Sequence, residues 1–231
     1  FPFNVPGGRM LLDLPLGVIE PEADQMPSAC KNWFTAGRFA DVSSADRGIT
    51  WVTLDAPLVQ VGGITATLLN SQSDPDVWRA RVEPTQALYA WVMNNHWGTN
   101  YRAYQEGRVK FRFALGPHAV YDPAAATRLA AGLSQPLLAL PAAAPAPTGR
   151  ARLTLSNDRV IATAFKPSDD GKGWVLRLYN VSDNEQQVSV EWGEPKPTRM
   201  FFSGTSEARG AELSGALTIP AWGMVTIRAE R

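Results

Sequence analysis

Residues 160–180 read VIATAFKPSDDGKGWVLRLYN and alternate strand-like with turn-like sequence. The runs Val160–Lys166 and Trp174–Asn180 are rich in aliphatic and aromatic residues, and they flank the turn-forming SDDGKG. Similar short runs lie on either side of them: Leu153–Leu155, Gln187–Trp192, Thr198–Phe202, Leu217–Ile219 and Met224–Arg228. Seven short strands in about 80 residues predict a small immunoglobulin-like β-sandwich.

The first part of the chain also consists of short strand-like runs separated by turn residues. Its predicted strands are each bounded by Gly, Pro, Asn or Asp: Arg9–Leu14, Trp33–Val42, Ile49–Leu54, Ala66–Leu69, Ala87–Val92 and Val109–Leu115. In the last of these, Val109, Phe111, Phe113 and Leu115 alternate with Lys110 and Arg112, which predicts a sheet with one buried and one wetter face. We therefore predict an all-β chain.

One helix interrupts this pattern. In residues 122–133, DPAAATRLAAGL, Asp122 is a suitable N-cap and Pro123 suits the first helical position, so we expect a single surface helix. The proline- and alanine-rich QPLLALPAAAPAPTG that follows predicts a linker, with a domain boundary near residue 147. The expected domains are 1–147 and 148–231.

Composition excludes several function classes. The chain has 22 Lys plus Arg and 22 Asp plus Glu, so it has no net field to gather nucleic acid or anionic lipid, and neither is an expected partner. No stretch approaches the roughly 20 apolar residues of a membrane span. The single cysteine, Cys30, excludes an internal disulfide, and two histidines without a zinc motif make a metal site built by this chain unexpected.

Residues 93–107, MNNHWGTNYRAYQEG, form the densest polar and aromatic cluster. Trp97 and Tyr101 offer flat apolar faces to a sugar, and several neighbours offer hydrogen bonds to hydroxyls. The candidate residues for a glycan contact or cleft rim are Asn94, Asn95, His96, Trp97, Asn100, Tyr101 and Arg102. A self-bonded loop between two strands explains Asn and Gly equally well, so both interpretations stay open.

Other candidates favour structural roles. Glu20, Glu22 and Asp24 are typical of a solvated edge or loop, although two carboxyl groups could act as a glycosidase pair. For Trp174, Trp192 and Trp222 a lectin-like platform is conceivable, but core or interdomain packing is favoured. The triplet Asn180-Val-Ser182 matches a glycosylation acceptor. No catalytic residue is assigned.

The order of several segments resembles the carboxyl-terminal part of glycoside hydrolase family 38, the α-mannosidases. These segments are FPFNVPGG, PEADQMPSACKNWFTAGRFADVS, LDAPLVQVGG, NNHWGTNYRAYQEG with FRFAL, ATAFKPSDDGKGWVLRLYNVS and IPAWGMVTIR. The resemblance implies a large, supersandwich-like β-domain, incomplete at its front, followed by the small sandwich.

The resemblance also implies what this chain lacks. Retaining hydrolysis in that family uses a zinc ion and an aspartate nucleophile in an upstream α/β barrel, joined by a helical domain, so the chain alone is expected to be inactive. The barrel and the helical domain of the same polypeptide are then its expected partners, and the Asn94–Arg102 loop is expected to face them or a glycan. A free-standing carbohydrate-binding module and a purely structural β-sandwich remain alternatives.

Overall fold

The computed structural model describes residues 1–64, 79–93, 102, 104–135, 137–139, 141 and 151–230. The chain divides into two compact units, Phe1–Pro136 and Leu137–Arg231. The predicted boundary at residue 147 falls within 142–150, outside the described residues.

The first unit contains eight described strands and one helix: β1 (Arg9–Leu14), β2 (Gly17–Ile19), β3 (Phe34–Thr35), β4 (Phe39–Ser43), β5 (Gly48–Thr53), β6 (Leu58–Val61), β7 (Leu88–Ala90), β8 (Phe113–His118) and α1 (Pro123–Ser134). They form a five-stranded antiparallel sheet in the order β2-β1-β4-β5-β8 and a three-stranded sheet in the order β3-β6-β7. All pairs are antiparallel.

The two sheets of the first unit pack face to face. Their shared core joins Met10, Leu12, Val42 and Trp51 of the larger sheet to residues of the smaller one, namely Phe34, Val59, Val61 and Leu88. Because strand side chains alternate, the opposite face of the larger sheet carries Phe39, Asp41, Thr50, Val52 and His118. Helix α1 packs on this second face, against Phe39 and Val52.

Helix α1 confirms its predicted start. The Oδ1 of Asp122 accepts hydrogen bonds from the backbone N of Ala124 at 2.9 Å and of Ala125 at 3.4 Å, which satisfies two otherwise free donors of the first turn. Ala126 and Ala130 are buried against the sheet, because their small side chains allow the helix to approach closely.

The second unit contains eight described strands: β9 (Leu153–Leu155), β10 (Val160–Pro167), β11 (Gly173–Asn180), β12 (Gln186–Val188), β13 (Val190–Trp192), β14 (Arg199–Ser203), β15 (Leu217–Ile219) and β16 (Met224–Glu230). Strands β10-β11-β16-β14 form one sheet, opposite the pairs β12-β15 and β13-β9. Leu176, Leu178 and Ile227 pack against Val188 and Ile219 in the core between them. The predicted all-β sandwich architecture is confirmed.

Two predicted strands are each divided between different sheets. Residues 33–42 form β3 and β4, because the chain turns at Gly37 and Arg38, whose backbone N atoms donate to the Asp13 carbonyl and to its Oδ2. Residues 187–192 cover the end of β12 and all of β13. Between these strands, the Ser189 carbonyl accepts from the Ser156 backbone N, and the Ser189 backbone N donates to the Ser156 hydroxyl. The predicted strand Ala66–Leu69 lies outside the described residues.

The prediction for residues 109–115 was wrong in part. Strand β8 begins at Phe113, since the Arg112 backbone N and guanidinium both donate to Asp55 instead of to a neighbouring strand. Val109 is 44% and Leu115 53% exposed, whereas Phe113 packs against the core, so the expected buried face is formed only in part. Leu115 pairs with buried Trp51 but lies on the edge strand of the described sheet.

Candidate functional site

Most of the predicted sugar-competent loop lies outside the described residues. This applies to Asn94, Asn95, His96, Trp97, Asn100 and Tyr101, whose roles stay predictions. Arg102 is described and exposed, and its guanidinium carbon lies 5.8 Å from the ring centroid of Tyr104. Such a cation–π contact at the surface contributes roughly 0.5–1 kcal/mol, so it orients two exposed side chains without fixing a binding site.

The strand that leads into this loop carries an aromatic surface. In β3-β6-β7, Thr35 pairs with Leu58, and Gln60 pairs with Tyr89. The Trp91 backbone N donates to the Leu58 carbonyl at 2.8 Å, which extends the same register. Alternation therefore places six side chains on the side opposite the core, here called the outer sheet face: Trp33, Thr35, Leu58, Gln60, Tyr89 and Trp91.

The indoles on the outer sheet face are held in place. Trp91 Nε1 donates to the Met93 carbonyl at 2.7 Å. The rings of Trp33 and Trp91 meet edge to face, with centroids 5.4 Å apart and planes at 71°. This geometry is favourable for aromatic quadrupoles and restricts both side chains to one arrangement.

The predicted carboxylate candidates serve the local fold. Glu22 accepts from the Val82 backbone N at 2.5 Å and from Lys31 Nζ at 2.9 Å. The first of these bonds joins the segment around Glu22 to the segment around Val82. These bonds, the Val82 one first, hold the pKa of Glu22 below its usual range, the opposite of what an acid catalyst needs. Asp24 accepts from the Glu20 backbone N at 2.7 Å and closes a turn.

A buried acid–histidine pair lies on the helix-covered face of the larger sheet. Asp41 is fully buried, and its Oδ2 lies 2.7 Å from His118 Nε2 and accepts from the Thr50 hydroxyl at 2.7 Å. The other ring nitrogen of His118 faces the Ala119 carbonyl at 3.2 Å. Since both ring nitrogens face acceptor oxygens, the imidazole has no free nitrogen for a substrate.

Two further polar groups share this region. Burial raises the pKa of Asp13 to about 6, against the lowering effect of its hydrogen bond from the Arg38 backbone N. Burial, and next the charge of Asp41, raise the pKa of the Tyr121 phenol above its usual range. Asp41 Oδ1 and the Tyr121 hydroxyl are buried without a hydrogen-bond partner among the described residues. Asp41 is inaccessible to substrate, whereas the His118 side chain is 22% exposed and lines an open cavity together with Thr50 and Leu129.

Sequence reasoning missed this pair. Asp41 and His118 are 77 residues apart, and only the β4-β5-β8 pairing brings them together. One signal was present: Asp41 is the sole charged residue in FADVS, a strand whose five residues are all buried. A carboxylate in the middle of a buried strand requires a partner, because isolated buried charge is costly.

The second unit has a dense ionic network around Arg228. This buried guanidinium donates to Glu230 Oε1 at 2.6 Å, to Asp170 Oδ2 at 2.7 Å and to the Glu207 carbonyl at 2.9 Å. Arg209 also pairs with Glu230, and the side chains of Arg209 and Arg228 hold the pKa of Glu230 at about 2. The network ties the Ser168–Gly173 turn and the 204–209 segment onto the sheet.

Lys166, near the end of β10, joins this ionic network from the strand that precedes the turn. Its Nζ pairs with Asp169 at 2.6 Å and with Glu207 at 2.5 Å. Arg177 donates to the Thr226 hydroxyl at 3.2 Å across the sheet. Neither residue is free to bind a ligand.

The tryptophans of the second unit are partly buried. Trp174 and Trp192 stack with centroids 6.2 Å apart, and Trp192 packs against the core. Trp222 lies in a turn after Pro220, and its backbone N donates to the Ser182 carbonyl. Core packing, the favoured interpretation, agrees with this arrangement for Trp192.

The Asn180 amide is engaged by the fold. Its Nδ2 donates to the carbonyls of Asn184, Ile219 and Pro220, and its Oδ1 accepts from the Ser182 hydroxyl and backbone N. The residue is fully buried. The folded chain therefore does not offer the Asn180-Val-Ser182 triplet as a glycosylation acceptor.

The described ranges bear on metal binding and on membrane crossing. Across them, no three His, Cys, Asp or Glu side chains come together in a way that could hold a metal ion, so these residues do not fit zinc. Helix α1 and the rest of the described chain include no helix with the length and hydropathy needed to cross a bilayer.

Comparisons with known proteins point to one family. Residues 159–207 match the model of the "Glycosyl hydrolases family 38 C-terminal beta sandwich domain". These residues run from the start of β10 to the segment that carries Glu207, and so include the Ser168–Gly173 turn and part of its ionic network. No curated protein matches the sequence.

Two solved structures share the fold. An α-mannosidase from Enterococcus faecalis V583 superposes with a TM-score of 0.61 at 13% identity, over 96% of this chain and 24% of that chain. A protein in glycosyl hydrolase family 38 from Enterococcus faecalis superposes with a TM-score of 0.57 at 12% identity, over 96% of this chain and 25% of that chain. The chain thus spans about a quarter of their length. The resemblance stated from the sequence is confirmed.

Proposed function

We propose that the chain is the carboxyl-terminal, non-catalytic β-sandwich region of an α-mannosidase-like glycoside hydrolase. In this proposal it packs against a catalytic barrel and a helical domain of the same polypeptide, and it supports their geometry. Zinc and the nucleophile belong to that barrel, and no step of hydrolysis is assigned to the described residues. The shared fold and the quarter-length coverage support this role.

The observation that carries the proposal is the edge strand β8, whose outer edge pairs with no other described strand. Leu115 lies on the side of the sheet that faces the sandwich core, next to Trp51, yet it is 53% exposed. Phe1 and Val109 are also exposed apolar side chains of this unit. An edge strand with unpaired backbone groups and an uncovered leucine is a surface that proteins normally cover. We infer that another part of the larger polypeptide covers it.

Leu115→Asp tests this role in two settings. In the isolated 231-residue chain we expect a change in unfolding free energy within about 0.5 kcal/mol, because Leu115 is exposed there. In a polypeptide that also carries the barrel, the same change buries an unpaired carboxylate, so the melting temperature and mannoside turnover should both fall.

Met26→Asp is the matched control, because Met26 is an exposed side chain in a loop of the same unit. Met26→Asp should leave the unfolding free energy of the isolated chain unchanged. It should also leave the melting temperature and mannoside turnover of the larger polypeptide unchanged. Equal melting temperatures for Leu115→Asp and Met26→Asp in the larger polypeptide would contradict the proposal.

A contribution of the Asn94–Arg102 loop to the glycan cleft is a further part of the proposal. Its support is the concentration of amide and aromatic groups in that sequence. Replacing Asn95, His96 and Trp97 in the larger enzyme should lower mannoside turnover while leaving circular dichroism unchanged. Unaltered kinetics would exclude a role in the cleft.

A further inference from the structure

We propose that the outer sheet face binds a neutral, pyranose-containing glycan, with Trp33, Tyr89 and Trp91 as the stacking platform. This inference deepens the proposed function, since it supplies a glycan contact outside the catalytic domain. The surface is formed entirely by described residues, which belong to the three-stranded sheet or, for Trp33 and Trp91, lie directly beside β3 and β7. It is separate from β8, which belongs to the five-stranded sheet.

The two faces of this small sheet differ in chemistry. The face that packs on protein is built from Phe34, Val59, Val61 and Leu88. The outer sheet face instead carries two tryptophans, a tyrosine and a threonine, with Leu58 as its one aliphatic residue, while Gln60 on the same side is buried. Trp and Tyr are favoured where the ring contacts apolar groups while its N–H or O–H group contacts water. This composition fits a hydrated ligand better than a second packed sheet.

The charge of the face selects the ligand class. None of the six outer positions carries an ionisable acid or base that is charged at neutral pH. Lys31, two residues before Trp33, is paired with Glu22 at 2.9 Å. A neutral face neither attracts phosphate nor compensates a cation, whereas an uncharged sugar needs only an aromatic surface for its C–H groups and partners for its hydroxyls.

The accessible groups match those two needs. Tyr89 is 37% exposed, and Thr35 in the neighbouring strand is exposed and presents a hydroxyl. Trp33 and Trp91 keep part of their surface accessible. Their orientation is already restricted by the Trp91 Nε1 bond to Met93 and by the edge-to-face contact. Binding therefore costs little side-chain entropy, which favours affinity on a shallow surface.

The test uses the whole 231-residue chain and α-mannobiose as the probe. Tryptophan fluorescence and titration calorimetry should show saturable binding that salt does not weaken, because no charge on the face is screened. Tyr89→Ser and Trp33→Ala should each weaken the affinity by about tenfold. Circular dichroism should confirm that both variants remain folded.

Phe165→Ser is the control, because Phe165 of the second unit has a similar exposure of 40%. It should bind α-mannobiose as tightly as the parent chain. Absence of saturation, or the same affinity in Tyr89→Ser as in Phe165→Ser, would overturn the platform. Neither result bears on the proposed packing role of β8, which Leu115→Asp tests separately. A failure of the glycan platform can therefore be told apart from a failure of the proposed function.

Discussion

His118 Nε2 lies 2.7 Å from Asp41 Oδ2, although 77 residues separate the two in the chain. The contact joins the end of the edge strand β8 to the middle of β4, with β5 between them. Because Asp41 is fully buried, its Oδ2 depends on His118 and on the Thr50 hydroxyl for polar contacts inside the first unit.

Removing His118 should destabilise the first unit. His118→Ala leaves a buried carboxylate with only the Thr50 hydroxyl as donor, so we expect a loss of about 3 kcal/mol in unfolding free energy. Urea titration followed by hydrogen exchange of β4 and β5 amides measures it. Asp41→Asn is the control and should lose only about 1 kcal/mol, because a neutral amide leaves no unpaired charge. Equal losses in both variants would mean that an unsatisfied buried carboxylate is not the cause.

Asp13 should make the first unit less stable as pH rises from about 4 to 6. Burial raises its pKa from 3.8 to about 6, so in this window the folded chain holds more protons than the unfolded chain. Asp13→Asn keeps an oxygen for the Arg38 backbone N and removes the titration. We expect it to add about 2 kcal/mol above pH 6 and almost nothing at pH 4.

The comparison for Asp13 is Asp46→Asn. Asp46 is exposed, and its hydrogen bond with Arg47 lowers its pKa to about 2. Its replacement should not stabilise the chain at neutral pH. A stability profile of Asp13→Asn parallel to that of the parent chain from pH 4 to 7 would refute the prediction.

Arg228 should be the most sensitive ionic residue of the second unit. Arg228→Ala removes the guanidinium that donates to Glu230, Asp170 and the Glu207 carbonyl. We therefore expect a loss of about 3 kcal/mol in unfolding free energy. Arg228→Lys should recover only part of it, because an ammonium does not reproduce the guanidinium fork. The exposed pair Arg199–Glu212 provides the control, and Arg199→Gln should change the unfolding free energy far less than Arg228→Ala.

The same network predicts acid sensitivity of the second unit. The pKa of Glu230 is about 2 in the folded chain, below its ordinary 4.5. Its contribution is present above pH 4.5 and is lost as pH falls toward 2. Thermal melts of the parent chain and Arg228→Ala across this range should converge at low pH. A constant gap between them would argue against the ionic origin.

Asn180 should be required for folding of the second unit and should carry no glycan. Asn180→Asp keeps the shape but replaces three donated hydrogen bonds by repulsion from three carbonyl oxygens, so we expect a loss of at least 2 kcal/mol, on the order of two unsatisfied groups. Asn184→Ala, at an exposed position, should change little. After secretory expression, intact mass should show no glycan on Asn180. A folded, glycosylated chain would contradict the buried hydrogen bonds.

Local sequence was sufficient for many elements. Arg9–Leu14, Leu153–Leu155 and Leu217–Ile219 are strands with the predicted limits, and Asp122 caps the predicted helix. These elements follow from propensity, turn residues and capping within a few positions. The points where a strand leaves one sheet for another, at Gly37 and Ser189, depend on distant partners and were not predictable from the local pattern.

The family resemblance and the all-β class were determined by the sequence alone, because residue order and short-range periodicity encode them directly. Tertiary structure alone decided three features: the Asp41–His118 pair, the exposure of Leu115, and the aromatic outer sheet face. Each of these depends on which strands become neighbours and in what register. Strand pairing joins residues far apart in the chain, and a shift of one residue would turn every side chain to the other face.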